Sequence, residues 1–365
     1  MREFGRTLNE GILERDAVGE FPRELWKRCA EFGLQGFPVP VEYGGGGQDL
    51  TTTLLAMEAL GYACRDNGLV FSLNAQMWAF ELPVVRFGTE EQKRRHLPPL
   101  CRGERIGAHA VTEPDFGSDA MSMATRYVRD GDHYVLDGAK TFITNGPVAD
   151  LVLAFATVDR GLRSAGISAF LVERGTPGMT LSPPIAKMGL RTSPMGEVVF
   201  SGCRVPVSNR LAAEGAGVAV FNAAMEWERA CIFASHLGSM QRLLEDTIAY
   251  AKSRRQFGQA ISRFAPVADR IVDMKVSIEA GRLLLYKVGA VKDAGGDAVL
   301  DAAIAKLFVS EAHVSQTLHA IQIHGGYGYA TEGQVERELR DAIPGTIYSG
   351  TSEMQRKIIA RLLGL

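Results

Sequence analysis

The stretch Arg340-Asp341-Ala342-Ile343-Pro344-Gly345-Thr346-Ile347-Tyr348-Ser349-Gly350-Thr351-Ser352-Glu353 lies near the C-terminal end of a 365-residue chain. Within it stands Ser349, and a serine is a poor base for removing a proton from carbon. If the chain does such chemistry, the base comes from elsewhere in the sequence. Working outward, the chain from about residue 216 onward reads as long helices. Leu237, Met240, Leu244, Ile248 and Ala251 form one apolar stripe, and Ile271, Met274, Ile278, Leu285 and Val288 form another, as expected for the core of a helix bundle. From about 106 to 210 the character changes. Short β-rich runs at His133–Leu136, Leu151–Val158, Ile167–Val172 and Glu197–Phe200 alternate with Gly and Pro, which predicts an antiparallel sheet or small barrel. Residues 1 to about 105 read as helical, with helical spacing across Glu20–Phe32, Leu54–Tyr62 and Gln76–Phe87 and a break at Gly44–Gly47. The expected fold class is α+β. Its expected domains are helical (1–105), β (106–212) and a C-terminal four-helix bundle (213–365).

Bulk properties narrow the function. Hydrophobic content is 46 % and charged content 22 %, as in ordinary globular proteins. Forty basic residues balance 42 acidic ones, so nothing marks a nucleic-acid binder. The five cysteines (Cys29, Cys64, Cys101, Cys203, Cys231) show no CxxC pair and no histidine at ligand spacing. Reduced thiols in a cytoplasmic protein, with no metal site, are expected. The first residues have no apolar signal core, and no run is long and apolar enough to span a membrane.

Six segments carry a resemblance. They are Val111-Thr112-Glu113-Pro114-Asp115-Phe116-Gly117-Ser118-Asp119, Gly138-Ala139-Lys140-Thr141-Phe142-Ile143-Thr144-Asn145-Gly146, Lys187-Met188-Gly189-Leu190-Arg191-Thr192-Ser193, Arg254-Arg255-Gln256-Phe257-Gly258, Gln322-Ile323-His324-Gly325-Gly326-Tyr327-Gly328, and the Ser349-Gly350-Thr351 stretch. In this order, over nearly the whole chain, they resemble the acyl-CoA dehydrogenase family. The resemblance implies FAD, with His109, Val111, Thr112, Gly117, Ser118, Phe142, Ile143 and Thr144 around the flavin. It also implies cofactor contacts from Gln322, His324, Gly325, Gly326, Thr351 and Glu353. Arg254 and Phe257 would reach the flavin of a neighbouring subunit in a homotetramer. The residue types suit these roles: hydroxyls and backbone groups for the ring, a flat apolar cover in Phe142, and two glycines that let backbone approach a pyrophosphate. One departure is Ala265, where many relatives carry a glutamine that helps hold FAD.

The family removes an α-proton from an acyl thioester while a β-hydride passes to the flavin. Such a weak carbon acid requires a carboxylate in a dry pocket. Many members place it directly before the Gly-Thr pair, where this chain has Ser349. The isovaleryl and long-chain dehydrogenases supply it instead from the first long C-terminal helix. The matching segment here is Met225-Glu226-Trp227-Glu228-Arg229-Ala230, which puts Glu228 in the role of base. Glu226, two residues away, faces elsewhere on a helix. Arg229 is expected either to supply positive charge near the site or to form a structural ion pair.

Trp227-Glu228, Tyr348-Ser349-Gly350-Thr351 and Phe71-Ser72-Leu73-Asn74-Ala75-Gln76 are similar to one branch, the L-prolyl–carrier-protein dehydrogenases. That likeness implies an acyl or aminoacyl group on the phosphopantetheine of a carrier protein, within a natural-product pathway. Substrate contacts are then expected from Ser118, Arg229, Tyr348, Ser349 and Gly350, and from Glu81, read either as a partner for a polar substrate group or as a solvent-exposed helix-end carboxylate. The basic run Lys93-Arg94-Arg95-His96, with Arg102 and Arg105, is a candidate dock for an acidic carrier. The electron acceptor is expected to be an electron-transfer flavoprotein or oxygen. Other readings of the same motifs are an acyl-CoA dehydrogenase acting on free CoA esters, a flavin monooxygenase, and a non-catalytic assembly chain.

Overall fold

The computed structural model describes residues 1–365. Short helices α1 (Arg2–Arg6), α2 (Ile12–Val18) and α3 (Arg23–Glu31) precede α4 (Leu50–Ala63). Then α5 (Asn67–Asn74) runs through a π-helical stretch, Ala75–Glu81, into α6 (Leu82–Phe87), and α7 (Glu90–Cys101) closes the region. Polar caps set the starts. The Asp49 carboxylate accepts from Thr52 N (2.7 Å) at α4, Asp66 accepts from Leu69 N (3.0 Å) at α5, and Thr89 with Gln92 forms a capping box at α7.

The middle region is an eight-stranded sheet of β1 (Gly107–Ala110), β2 (Arg126–Asp130), β3 (His133–Thr144), β4 (Leu151–Thr157), β5 (Ile167–Glu173), β6 (Met179–Leu181), β7 (Met195–Pro206) and β8 (Arg210–Leu211). The order is β6-β7-β3-β2-β4-β5-β8, with β1 added on β4. It is mainly antiparallel; β1 and β2 pair with β4 in parallel. β4 is buried along its whole length, with Leu151, Leu153 and Phe155 in one core cluster and Val152, Ala154 and Ala156 in another.

Beyond the sheet come α8 (Gly217–Ser253), a small hairpin of β9 (Arg255–Gln256) and β10 (Gln259–Ala260), α9 (Ala265–Asp293), α10 (Val299–His324), α11 (Gly326–Tyr329), α12 (Val335–Ala342) and α13 (Ser352–Leu362). The long helices α8, α9 and α10 pack on one another, and α13 lies on α10. The two expected stripes are core: Leu237, Met240, Leu244, Met274, Ile278, Leu285 and Val288 are buried, with Ile248 and Ile271 half-buried.

Two contacts lock the three regions together. Helices α4 and α8 meet backbone to backbone at Gly61 and Gly238. A Cβ on Gly61 would lie 2.0 Å from Ser235 O, and one on Gly238 would lie 2.0 Å from Glu58 O. The Lys187–Ser193 loop docks on the end of α12, where Leu190 N donates to Asp341 Oδ1 (2.6 Å). The Arg340-Asp341 pair that opens the decisive stretch thus ties the sheet to the bundle.

Candidate active site

Glu228 projects from α8 toward the turn between α12 and α13. Ser349 Oγ donates to Glu228 Oε1 at 2.7 Å, while Glu228 Oε2 is sealed from solvent and has no partner. Burial holds the Glu228 carboxyl above the ordinary glutamate range; the Ser349 hydrogen bond and, after it, the Arg229 charge oppose that rise. Ser349 is 8 % exposed and sits at φ +55°, in the left-handed region. Gln355 Nε2 holds this turn by donating to the carbonyls of Ser349 (3.1 Å) and Gly350 (2.9 Å). Glu226 is committed elsewhere, paired with Lys292 on α9 at 2.7 Å. Arg229 has no carboxylate within ion-pair distance, and its buried Nε has no partner. The structural ion pair considered for it is absent. Trp78 of the π-helical stretch stacks on Trp227 (centroids 6.3 Å apart), and Tyr348 lies against Phe71 (4.7 Å). The residues next to Glu228 and Ser349 in sequence, Trp227 and Tyr348, are thus each packed against an aromatic ring of the N-terminal region.

The first two motifs meet at one edge of the sheet. Thr141 N donates to Thr112 O (2.8 Å), and buried Lys140 bonds Glu113 Oε1 (2.7 Å) and Val111 O (3.1 Å). Glu113 in turn accepts from the backbone N–H groups of Ala124 and Thr125. Between Lys140 and Ile143 the β3–β7 register slips, and there Phe142 takes φ +57° and stands 58 % exposed. A bulge re-aims a side chain in this way. It turns Phe142 out of the sheet while Ile143 stays buried and Thr144 half-buried beside it. Gly117 and Ser118 are exposed on the facing loop. His109, on β1, packs edge-on to Phe155 and has a buried, unpartnered Nε2. Asn145 Nδ2 reaches Ser72 O on α5 (3.1 Å), which fixes this edge beside the Phe71 face.

A second grouping surrounds a cavity of about 500 Å³ lined by Arg254, Gln256, His324, Gly325, Gly326 and Tyr327, among others. Gly325 adopts φ +60°, ψ −133°, a conformation open essentially to glycine alone, and a Cβ on Gly325 or Gly326 would meet no atom within 4 Å. Open space rather than packing surrounds these glycines, as an approach to pyrophosphate needs. Phe257, 93 % exposed at φ +47°, stands free on the β9–β10 turn, and Gln322 is exposed outside the cavity lining. Thr351 caps α13 by accepting from Met354 N (3.3 Å), with Glu353 in the first turn. Ala265 opens α9, exposed and with no side-chain cap. The residues present fit FAD: a surface for the flavin ring at the Thr112/Phe142 edge and an open, glycine-lined cavity for its phosphates.

Three family profiles match the chain: the N-terminal domain of acyl-CoA dehydrogenases over residues 1–104, the middle domain over 108–203 and the C-terminal domain over 215–364. The chain belongs to the acyl-CoA dehydrogenase family. An L-prolyl-[peptidyl-carrier protein] dehydrogenase of Pseudomonas fluorescens is 44 % identical over 346 residues, 94 % of this chain and 91 % of that protein. The crystal structure of the prolyl acyl carrier protein oxidase AnaB superposes with TM-score 0.98 at 49 % identity, covering 100 % of this chain and 96 % of that one. PigA with FAD and proline gives TM-score 0.97 at 41 % identity, covering 100 % and 95 %.

Two expectations for this dehydrogenase change on inspection. Glu81 is not a solvent-exposed helix end: it is fully buried, and Gln76 Nε2 donates to its Oε1 (2.7 Å) while its Oε2 has no partner. Gln76 also bonds Gly107 N and Leu100 O, so these links run to β1 and α7 and not to Glu228. Burial pushes the Glu81 carboxyl up to about 8. A carboxyl raised in the folded state costs stability as pH climbs from its unfolded value toward 8. Between pH 6 and 8 the protein should lose about 1 kcal/mol of stability per pH unit from this group. Urea melts of Glu81→Gln over that range should be flatter than those of the parent; parallel curves would contradict the buried acid. The basic cluster is also not a free positive patch. Arg94 pairs with Glu90, Arg102 with Glu104, and both Arg95 and Arg105 with Glu173. His96 is buried and held neutral by desolvation, its value lowered to about 4. Only Lys93 lacks a carboxylate, so Glu90, Glu104 and Glu173 offset much of the charge that would meet an acidic carrier.

No helix of the enzyme is long and apolar enough to cross a membrane.

Proposed function

We propose that the enzyme α,β-dehydrogenates an acyl or aminoacyl thioester carried on the phosphopantetheine of a carrier protein, with Glu228 taking the α-proton. The observation that carries this is the 2.7 Å bond between Ser349 and Glu228. The position from which many relatives supply the base is occupied by a serine that instead holds a carboxylate arriving from α8. Oε2 is left free toward the substrate, and its desolvation strengthens it as a base. The cofactor is FAD, which accepts the β-hydride when bound. Val111, Thr112, Gly117, Ser118, Phe142, Ile143 and Thr144, with His109 beneath them, form the surface for its ring. His324, Gly325 and Gly326 line the cavity for its phosphates, with Gln322, Thr351 and Glu353 on the same bundle. Arg254, exposed at the rim of that cavity, and Phe257, free-standing on its turn, complete the site of a neighbouring subunit in a homotetramer. Ser118, Tyr348, Ser349 and Gly350 border the thioester, and Arg229 lends positive charge to the pocket. An electron-transfer flavoprotein or oxygen takes the electrons onward, and the setting is the cytoplasm, where the five unpaired cysteines stay reduced.

Supporting the carrier-bound substrate are the relatives that act on prolyl groups held by carrier proteins. Flavin bleaching under anaerobic conditions tests it. Prolyl-loaded carrier protein should reduce the flavin and isovaleryl-CoA should not. Bleaching by the CoA ester alone would make this an ordinary acyl-CoA dehydrogenase.

A further inference from the structure

The Ser349 turn is held from both ends. Upstream, the Tyr348 hydroxyl bonds His236 Nε2 on α8 (2.8 Å), and His236 Nδ1 lies 3.0 Å from His313 Nδ1 on α10. Downstream the chain enters α13, where Thr351 Oγ1 accepts from Met354 N and Gln355 N donates to Thr351 O (3.0 Å). From that rooted first turn the Gln355 side chain reaches back over the residues it follows. It is fully buried, and its one nitrogen, Nε2, donates to two successive carbonyls, Ser349 O at 3.1 Å and Gly350 O at 2.9 Å. Its Oε1 is sealed and has no partner, so the two carbonyls set which way the amide faces.

The local backbone needs such a donor. Ser349 at φ +55° and Gly350 at φ +86° are successive left-handed residues. A serine in that region carries strain and persists only where its surroundings impose it. Two neighbouring carbonyls turned toward one buried point also need donors, because a buried acceptor left unpaired is costly. A primary amide answers both needs, since its NH₂ carries two hydrogens. Gly350 completes the fit. A Cβ there would lie 2.7 Å from Gln355 Nε2, so a side chain at this position would push the amide away.

The effect reaches the base. Where the Ser349 hydroxyl points follows from its backbone, and that hydroxyl donates to Glu228 Oε1 at 2.7 Å, across to α8. We propose that Gln355 is a positioning residue for the reaction: by clamping the carbonyls of Ser349 and Gly350, it aims the Ser349 hydroxyl at Glu228. This rests on the reading of Glu228 as base and adds the residue that sets its hydrogen-bond partner. The charged and titratable groups that bear on Glu228 are Arg229 beside it on α8 and Tyr348 on the turn, while Glu226 is paired with Lys292 of α9. None of them is altered in the test.

The test follows anaerobic flavin reduction by prolyl-loaded carrier protein against pH, in the full-length FAD-loaded enzyme. The parent is compared with Gln355→Met, Ser349→Ala and the double variant. Methionine is of similar length and has no N–H, and flavin content confirms that each variant folds. In Gln355→Met the acid limb of the profile should move to higher pH by about half to one unit, in the same sense as in Ser349→Ala. In the double variant the limb should sit where Ser349→Ala alone puts it, because no hydroxyl is left to aim. Should Gln355→Met not hold FAD, Gly350→Ala displaces the amide with Gln355 still present, and it should move the limb the same way. An unmoved limb in an FAD-loaded Gln355→Met, whatever its rate or stability, would overturn the proposal and leave Gln355 a structural clamp. So would shifts that add in the double variant, a result that leaves Glu228 standing as base. If Ser349→Ala itself leaves the limb in place, the titrating group is not Glu228, and the role of Gln355 falls with that reading.

Discussion

Glu228→Gln should slow anaerobic flavin reduction by substrate by about 10³-fold or more, with FAD content unchanged, because the amide keeps the shape but cannot take the proton. The rate of bleaching at 450 nm checks it, and a variant within tenfold of the parent would remove Glu228 from the role. The companion change, Ser349→Ala, works on the same carboxylate from the other side. Ser349 donates to ionised Glu228 and so lowers its pKa against the larger effect of burial. Without that bond the carboxyl rises further. Since the base acts ionised, the acid limb of the rate–pH profile should move to higher pH in Ser349→Ala, with the rate largely recovered above it. An unmoved limb would mean that the titration seen in kinetics belongs to another group.

The second large effect is on stability. Lys140 is fully buried, and its three polar contacts include Glu113 Oε1 at 2.7 Å. Lys140→Met leaves the Glu113 carboxylate buried with only two backbone donors. Breaking one side of such a pair costs about 3–5 kcal/mol, and the loss falls on the loop from Val111 to Thr125. Urea unfolding should show a markedly lower midpoint, and the purified variant should retain less FAD, since the loop carries Thr112, Gly117 and Ser118. Adding Glu113→Gln should return part of the stability, because the stranded charge is gone. If Lys140→Met unfolds at the parent's midpoint, the pair does not hold the loop.

Much of the fold was legible because periodicity survives in single residues. The stripes on α8 and α9 repeat with the helix, and β4 and β5 are runs of apolar residues buried on both sides of a sheet. Other elements gave little signal. The second half of β3, from Asp137 to Thr144, lies beyond the expected run His133–Leu136, since Gly138 and Lys140 interrupt its apolar pattern and the buried Glu113 partner of Lys140 is distant in sequence. β1 is only four residues, Gly and Ala around His109, and β2 is a largely exposed run, Arg126–Asp130, with no apolar alternation. The π-helical turn at Ala75–Glu81 has no sequence pattern of its own, so the burial of Glu81 could not be read. In the site, Glu228 and Ser349 were readable together, since the absence of a carboxylate at one position gives meaning to one at the other. His236 and His313 were missed. Each is a single histidine on an otherwise ordinary bundle helix, and their contact across α8 and α10, 77 residues apart in sequence, is visible only in the fold. Part of the pairing of the Lys93–Arg105 cluster was hidden for the same reason: Glu90 and Glu104 lie within four residues of their arginines, but Glu173, which holds both Arg95 and Arg105, is distant in sequence.

The contact between Gly61 and Gly238 bears on how the reaction would respond to temperature. With no side chain between α4 and α8 at this crossing, neither helix can slide without a backbone clash, and Glu228 rides on α8 a few turns before that lock. A base on the Ser349 turn would depend on the two Gln355 hydrogen bonds that hold that turn. A base on a clamped girder instead inherits the stillness of the frame. Its reach to the substrate should stay constant on warming until the frame itself gives way, so loss of rate and loss of fold should come together.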